Sequence, residues 1–140
     1  MGYRDMKSAQ RAPKRQLKLI KGFTLIELLV VLAIVAMLLT LSVPRYFQSV
    51  DASREAVLKE NLRAVRETLD KFKADTGRYP DALNELVERK YLRAVPVDPV
   101  SESNTTWLLI APTDGSKGEV FDIRSGARGQ GRDGRSFGDW

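Results

Sequence analysis

Residues 21–44 read KGFTLIELLVVLAIVAMLLTLSVP. From Phe23 to Val43 the only interruptions of this apolar run are Thr24, Thr40, Ser42 and the acid Glu27. A helix rises about 1.5 Å per residue, so the run matches the roughly 30 Å hydrocarbon core of a bilayer. It reads as a membrane span. Its left flank is basic: Arg4, Lys7, Arg11, Lys14, Arg15, Lys18 and Lys21 stand against Asp5 alone. The positive-inside rule keeps that flank cytoplasmic and sends the chain after Pro44 across the membrane. A secretory signal would have a shorter apolar core followed by its cleavage site. Here the boundary glycine, Gly22, precedes the run, so a cut there leaves the helix on the mature protein.

Glu27 does not fit a plain anchor. On insertion scales an acid at the centre of a membrane helix costs about 2.5–3.5 kcal/mol, which asks for a partner. In one reading Glu27 lies near the interface and reaches headgroups or Lys21. In the other, cleavage after Gly22 creates an α-amino group on Phe23, and that ammonium pairs with Glu27 of a neighbouring chain inside a bundle of spans. The residues alone leave both open.

Composition narrows the chemistry. The 140 residues suffice for one modest domain beside the span. The formal charge of +5 is carried by the leader: residues 1–22 hold seven bases and one acid, and residues 23–140 are close to neutral. The basic balance is therefore no sign of a nucleic-acid partner. With no cysteine and no histidine, the chain has no disulfide, no thiol or imidazole catalysis, and no zinc site built on those residues. No Ser–Lys or paired-carboxylate spacing suggests an enzyme.

Beyond the span, Leu58, Leu62, Val65, Leu69 and Phe72 recur at helical spacing and predict an amphipathic continuation to about Asp75. Glu55 with Lys59 and Glu67 with Lys71 are spaced for supporting ion pairs. Pro44 predicts a bend, and the helix either runs through it or breaks in two. Gly77 and Pro80 end the helix. A short helix follows from about Asp81 to Lys90, with Leu83, Leu86, Val87 and Tyr91 on one face and Glu85 pointing away. Leu92–Pro99 is an extended connector. Thr105–Ala111 and Glu119–Ile123 predict a hairpin around Pro112–Ser116. Arg124–Trp140, with half of the ten glycines, reads as an ordered loop pinned by Phe137 and Trp140, with disorder and an arginine-glycine nucleic-acid segment as the competing readings. The fold class is thus α+β: a long N-terminal helix packed against a short helix and a small antiparallel hairpin, with a C-terminal loop.

Gly22-Phe23-Thr24-Leu25-Ile26-Glu27 before an apolar helix resembles the signal of type IV pilins and type II secretion pseudopilins. TGRYP, KYL and P-x-D-P within Thr76–Pro99, and the Asp, Ser-Gly and Asp-Gly of the tail ending in Trp, are similar to the major pseudopilin. The resemblance implies a pilin-like fold and cleavage between Gly22 and Phe23 by prepilin peptidase, with methylation of Phe23. It implies filament assembly through Glu27 and a helix kink at Pro44. The expected boundaries are a cytoplasmic leader at 1–22, a transmembrane assembly helix at 23–43, and a periplasmic head at 44–140. The implied function is a structural subunit of a secretion pseudopilus in the bacterial inner membrane that helps to export folded proteins. Its implied partners are itself, other pseudopilins, the inner-membrane assembly platform and membrane lipid. The rival readings are a type IV pilus or DNA-uptake filament subunit, and a membrane-tethered periplasmic binding module.

The resemblance also implies calcium in the C-terminal loop, where type IV pilins often use a disulfide. Asp122, Ser125 and Asp133 fall in places suited to it, since calcium takes six to eight hard oxygens. Against this, Arg124, Arg128 and Arg132 crowd the same segment. Their pairing with Asp122, Asp133 or Asp139 is the competing expectation.

Overall fold

The computed structural model describes residues 21–140, so the leader expected at residues 1–22 lies almost wholly outside the described residues. The described residues fall into two units that part between Leu39 and Thr40. Helix α1 spans Leu25–Thr76 and contains Pro44 without interruption, which removes the alternative of two separate helices. Every residue from 21 to 39 is exposed in the first unit, including large apolar side chains on all sides of the helix, such as Leu25, Leu29, Leu32 and Leu38. A helix apolar all round belongs in a membrane or a bundle, and α1 is long and apolar enough to cross a bilayer.

In the second unit the same helix changes character. Its expected stripe, Leu58, Leu62, Val65, Leu69 and Phe72, is almost completely buried. Each such side chain contributes about 1.5–3 kcal/mol on burial. The stripe forms a single cluster with Leu83 and Leu86 of helix α2 (Leu83–Glu88), with Trp107, Val120 and Ile123, and with Phe137 and Trp140. Helix α1 ends as its sequence predicts: Gly77 takes φ +77° and its N–H donates to the Lys73 carbonyl at 2.8 Å. Glycine adopts this left-handed geometry without strain. The neighbouring pairs differ from expectation. Glu67 accepts from Arg63 at 2.8 Å, Glu55 accepts from the Arg132 amide at 2.8 Å, and the Lys59 ammonium lies 4.4 Å from the centre of the Trp140 ring.

The hairpin is present but displaced. Strand β1 (Leu108–Ile110) pairs antiparallel with β2 (Asp122–Arg124), Leu109 facing Ile123. The second strand lies later than the expected Glu119–Ile123 because the residues before it bond elsewhere. Tyr79 N–H donates to the Lys117 carbonyl at 2.8 Å, and the Glu119 and Val120 amides both donate to the Pro80 carbonyl. Gly118 permits this approach: a Cβ there would sit 2.2 Å from the Tyr79 oxygen, and its φ is +106°. Val120 and Ile123 are thereby turned into the core, while Leu108 and Leu109 stay about half exposed.

Glu85 also departs from expectation. It turns back from α2 to the guanidinium of Arg78, accepts the Asp81 amide at 2.9 Å, and meets Arg89 at 3.2 Å. The Arg78 hydrogen bond, with the Asp81 amide behind it, holds the Glu85 carboxyl below its ordinary value of 4.5. A depressed folded pKa stabilises above the unfolded value and loses that contribution as pH falls through the folded one. Unfolding of the Glu85→Gln chain, followed from pH 7 downward, should therefore show a deficit at neutral pH. That deficit should narrow steadily below pH 4.5.

Candidate functional site

At the N-terminal end, Gly22 and Phe23 precede α1 and are exposed, Phe23 at 87%. Nothing lies within 4 Å of the place where a Cβ would stand on Gly22. Thr24 caps the helix: its Oγ1 accepts the Glu27 N–H at 3.2 Å, and its carbonyl accepts the Leu28 N–H at 3.2 Å. Thr24-Leu25-Ile26-Glu27 has the T-x-x-E spacing of a capping box. Glu27 therefore sits in the first turn of α1, where the helix dipole favours a negative charge. Its carboxylate is exposed and makes no ion pair with Lys21 or any other described residue.

The C-terminal loop is ordered around its aromatics. Ser136 caps a 3₁₀ turn at Phe137–Asp139, and the buried rings of Phe137 and Trp140 meet edge to face at 5.2 Å. Gly131 lies so close to Trp140 that a Cβ would come within 2.3 Å of the indole. The three expected calcium residues are each engaged elsewhere. Asp122 Oδ1 accepts Arg66 Nε at 2.7 Å and the Ile123 amide at 2.8 Å. Ser125 is fully buried, donates its hydroxyl hydrogen to Asp98 Oδ2, and accepts the Ala127 amide at 3.1 Å. Asp133 accepts the Arg135 amide at 3.0 Å and its guanidinium at 2.8 and 2.9 Å. Those Arg135 hydrogen bonds keep the Asp133 carboxyl below its usual range.

As placed here, these residues do not fit calcium. Among the described residues, no group of three or more histidine, cysteine, aspartate or glutamate side chains could hold a metal ion. The cleft beside Asp122 is lined by Lys59, Arg66, Arg124 and Arg135 against Asp122 and Asp139, an environment that repels a cation. The competing expectation is met in kind but by other residues. Arg66 and Arg135 form the Asp pairs, while the Arg124, Arg128 and Arg132 side chains are exposed.

Three residues of these sites escaped the sequence reading. Thr24 was legible from its T-x-x-E spacing. Asp98 is fully buried; its Oδ1 accepts the Val100 and Ser101 amides at 2.8 and 3.2 Å, and its Oδ2 accepts from Ser125. Its place between prolines in VPVDP marked an extended connector and gave no sign of the distant serine. Arg66 lay hidden on the helix beside the apolar stripe.

An apolar-to-amphipathic α1 that opens on a capped GFTLIE defines a pilin-type subunit, and residues 17–43 match the prokaryotic N-terminal methylation motif. The type II secretion system core protein G of Pseudomonas aeruginosa is 34% identical over 126 residues, covering 78% of this chain and 84% of the relative. Core protein G of Klebsiella pneumoniae is 29% identical over 136 residues, 86% of this chain and 94% of the relative. The chain belongs to the type II secretion system core protein G family and is a pseudopilin. The type IV major pilin protein PilA of Myxococcus xanthus is 35% identical over 66 residues, which cover 47% of this chain and 30% of that protein. The pilus reading is accordingly less favoured. No solved structure matches the chain. The matches indicate no enzymatic family.

Replacing Ser125 by Ala would leave the buried Asp98 oxygen without its donor. A loss of about 1–3 kcal/mol is expected in denaturant unfolding of the full chain.

Proposed function

We propose that this pseudopilin is cut between Gly22 and Phe23 by prepilin peptidase, methylated at the new Phe23 amine, and drawn into a secretion pseudopilus. The observation that carries this reading is the first unit of the chain. An apolar helix is exposed on every side, and Glu27 is the one charged residue from Phe23 to Val43. Neither the apolar surface nor the carboxylate finds a partner within the described chain. A bilayer covers the first in the unassembled subunit, and neighbouring spans cover it in the filament. The ammonium of a neighbour's Phe23 then answers Glu27. Apolar packing supplies most of the association, and the charge pair selects the register, because a mismatched register leaves two charges unpaired in a low dielectric.

In this reading residues 1–22 are a cytoplasmic leader, residues 23–43 the transmembrane and assembly helix, and residues 44–140 a periplasmic head. Pro44, inside α1, is where the helix bends on leaving the membrane. The partners are further copies of the chain, other pseudopilins, prepilin peptidase and the inner-membrane assembly platform. The filament's task is the outward movement of folded proteins. This assignment follows from the relatives' role in type II secretion and from the basic leader that holds the N-terminus inside.

Intact mass and N-terminal sequencing of the protein from membranes, with and without prepilin peptidase, test the pathway. The expected product begins at methylated Phe23 only when the peptidase is present. A chain that still carries residues 1–22 in its presence would overturn the assignment.

A further inference from the structure

The calcium expected from the family resemblance and the residues found in the C-terminal loop disagree, and the disagreement has a structural cause. Arg66 projects from α1 into the place where the loop closes. Its Nε donates to Asp122 Oδ1 at 2.7 Å, and its Nη2 donates to the main-chain oxygens of Ile123 and Trp140, each at 2.9 Å. One guanidinium thus gathers a carboxylate oxygen and two main-chain oxygens, from strand β2 and from Trp140 beyond the 3₁₀ turn. Carboxylate and backbone carbonyl oxygens are the donors that calcium prefers. Arginine presents its donors as a rigid planar fork and stays charged at every physiological pH.

We infer that Arg66 is the built-in cation of this loop, and that the head folds and holds its C-terminal segment without a divalent ion. A guanidinium at Asp122 both satisfies the carboxylate and excludes a second cation by like-charge repulsion. Its surroundings agree: Lys59 and Arg135 lie 4.4 and 5.9 Å from the centre of the Trp140 ring and line the same cleft as Arg66, adding positive charge to it. The second half of the loop is closed by Arg135 on Asp133, and its base by Ser125 on Asp98. Each side chain expected to hold calcium is answered by a hydrogen-bonding partner from the chain itself.

The test is limited proteolysis of the mature full chain in detergent, with trypsin cleavage after Arg124, Arg128, Arg132 and Arg135 followed by mass spectrometry. For the wild-type chain, calcium chloride and EGTA should give cleavage rates that agree within about twofold. A calcium site filled at a hundred times its dissociation constant would slow cleavage through local opening about a hundredfold, and protection approaching that size would overturn the inference. In EGTA, Arg66→Ala should be cut about tenfold faster than wild type, with Arg66→Lys between the two, because lysine keeps the charge and loses the fork. A wild-type rate for Arg66→Ala would also overturn it. Should Arg66→Ala fail to accumulate, Asp122→Asn removes the partner charge with little change of shape. Several-fold faster cleavage is expected of Asp122→Asn, and an unchanged rate would count against Arg66. None of these readouts depends on filament formation, so their failure is separable from failure of the assembly reading.

Discussion

Burial of one helical stripe is the constraint on which the folded part of this chain depends. Leu58, Leu62, Val65, Leu69 and Phe72 come from a single face of α1. Helix α2, the turn from Tyr79 to Pro80, strand β2 and the C-terminal aromatics are all arranged to cover that face or to hold what covers it. The regular structure beyond α1 is slight: six residues of α-helix, a 3₁₀ turn of three residues and two strands of three residues. Such short elements do not stand alone in water. Tertiary packing on the stripe stabilises them, and close backbone approaches at Gly118 and Gly131 let the loops reach it.

Two charged side chains on α1, Arg66 and Glu27, stand apart from this apolar packing. Arg66 ties strand β2 and Trp140 to the helix through three hydrogen bonds. Each is a charge-assisted bond in a partly buried setting, where such bonds are roughly twice as strong as neutral ones. Glu27 belongs to a different solvent. Its backbone amide is satisfied by Thr24 and its first-turn position suits a carboxylate, so the helix tolerates it even where a bilayer would not. Among the described residues its charge has no ion-pair partner, and the proposed pairing with a neighbouring chain's ammonium would answer it.

Much of this was legible in the residues. The apolar run, the stripe at spacings of four and three, the Gly77 stop and the pinning aromatics Phe137 and Trp140 each depend on local pattern, and each stands where the pattern placed it. Legibility failed where the decisive partner was far away in the chain. Strand β2 starts late because residues 117–120 bond to Tyr79 and Pro80, an exchange between segments about forty residues apart that no hairpin pattern can display. Glu85 is the exception to that distance: it turns toward Arg78, only seven positions back, because the chain reverses between them. Among the loop acids, arginine-rich sequence correctly suggested ion pairs, but adjacency pointed to Arg124, Arg128 and Arg132. The arginine that reaches Asp122 is 56 positions away on α1. Ser125 and Asp98 meet across 27 positions for the same reason.

The most direct test of the central claim is filament entry by Glu27 variants, measured by crosslinking and by filament recovery in cells that express the peptidase and the assembly machinery. Glu27→Ala should be processed normally, remain in the membrane and fail to enter filaments, while Glu27→Asp, which keeps the charge, should recover part of the assembly. If Glu27→Ala assembles as well as the wild-type chain, the carboxylate does not select the register and the account of this helix is wrong.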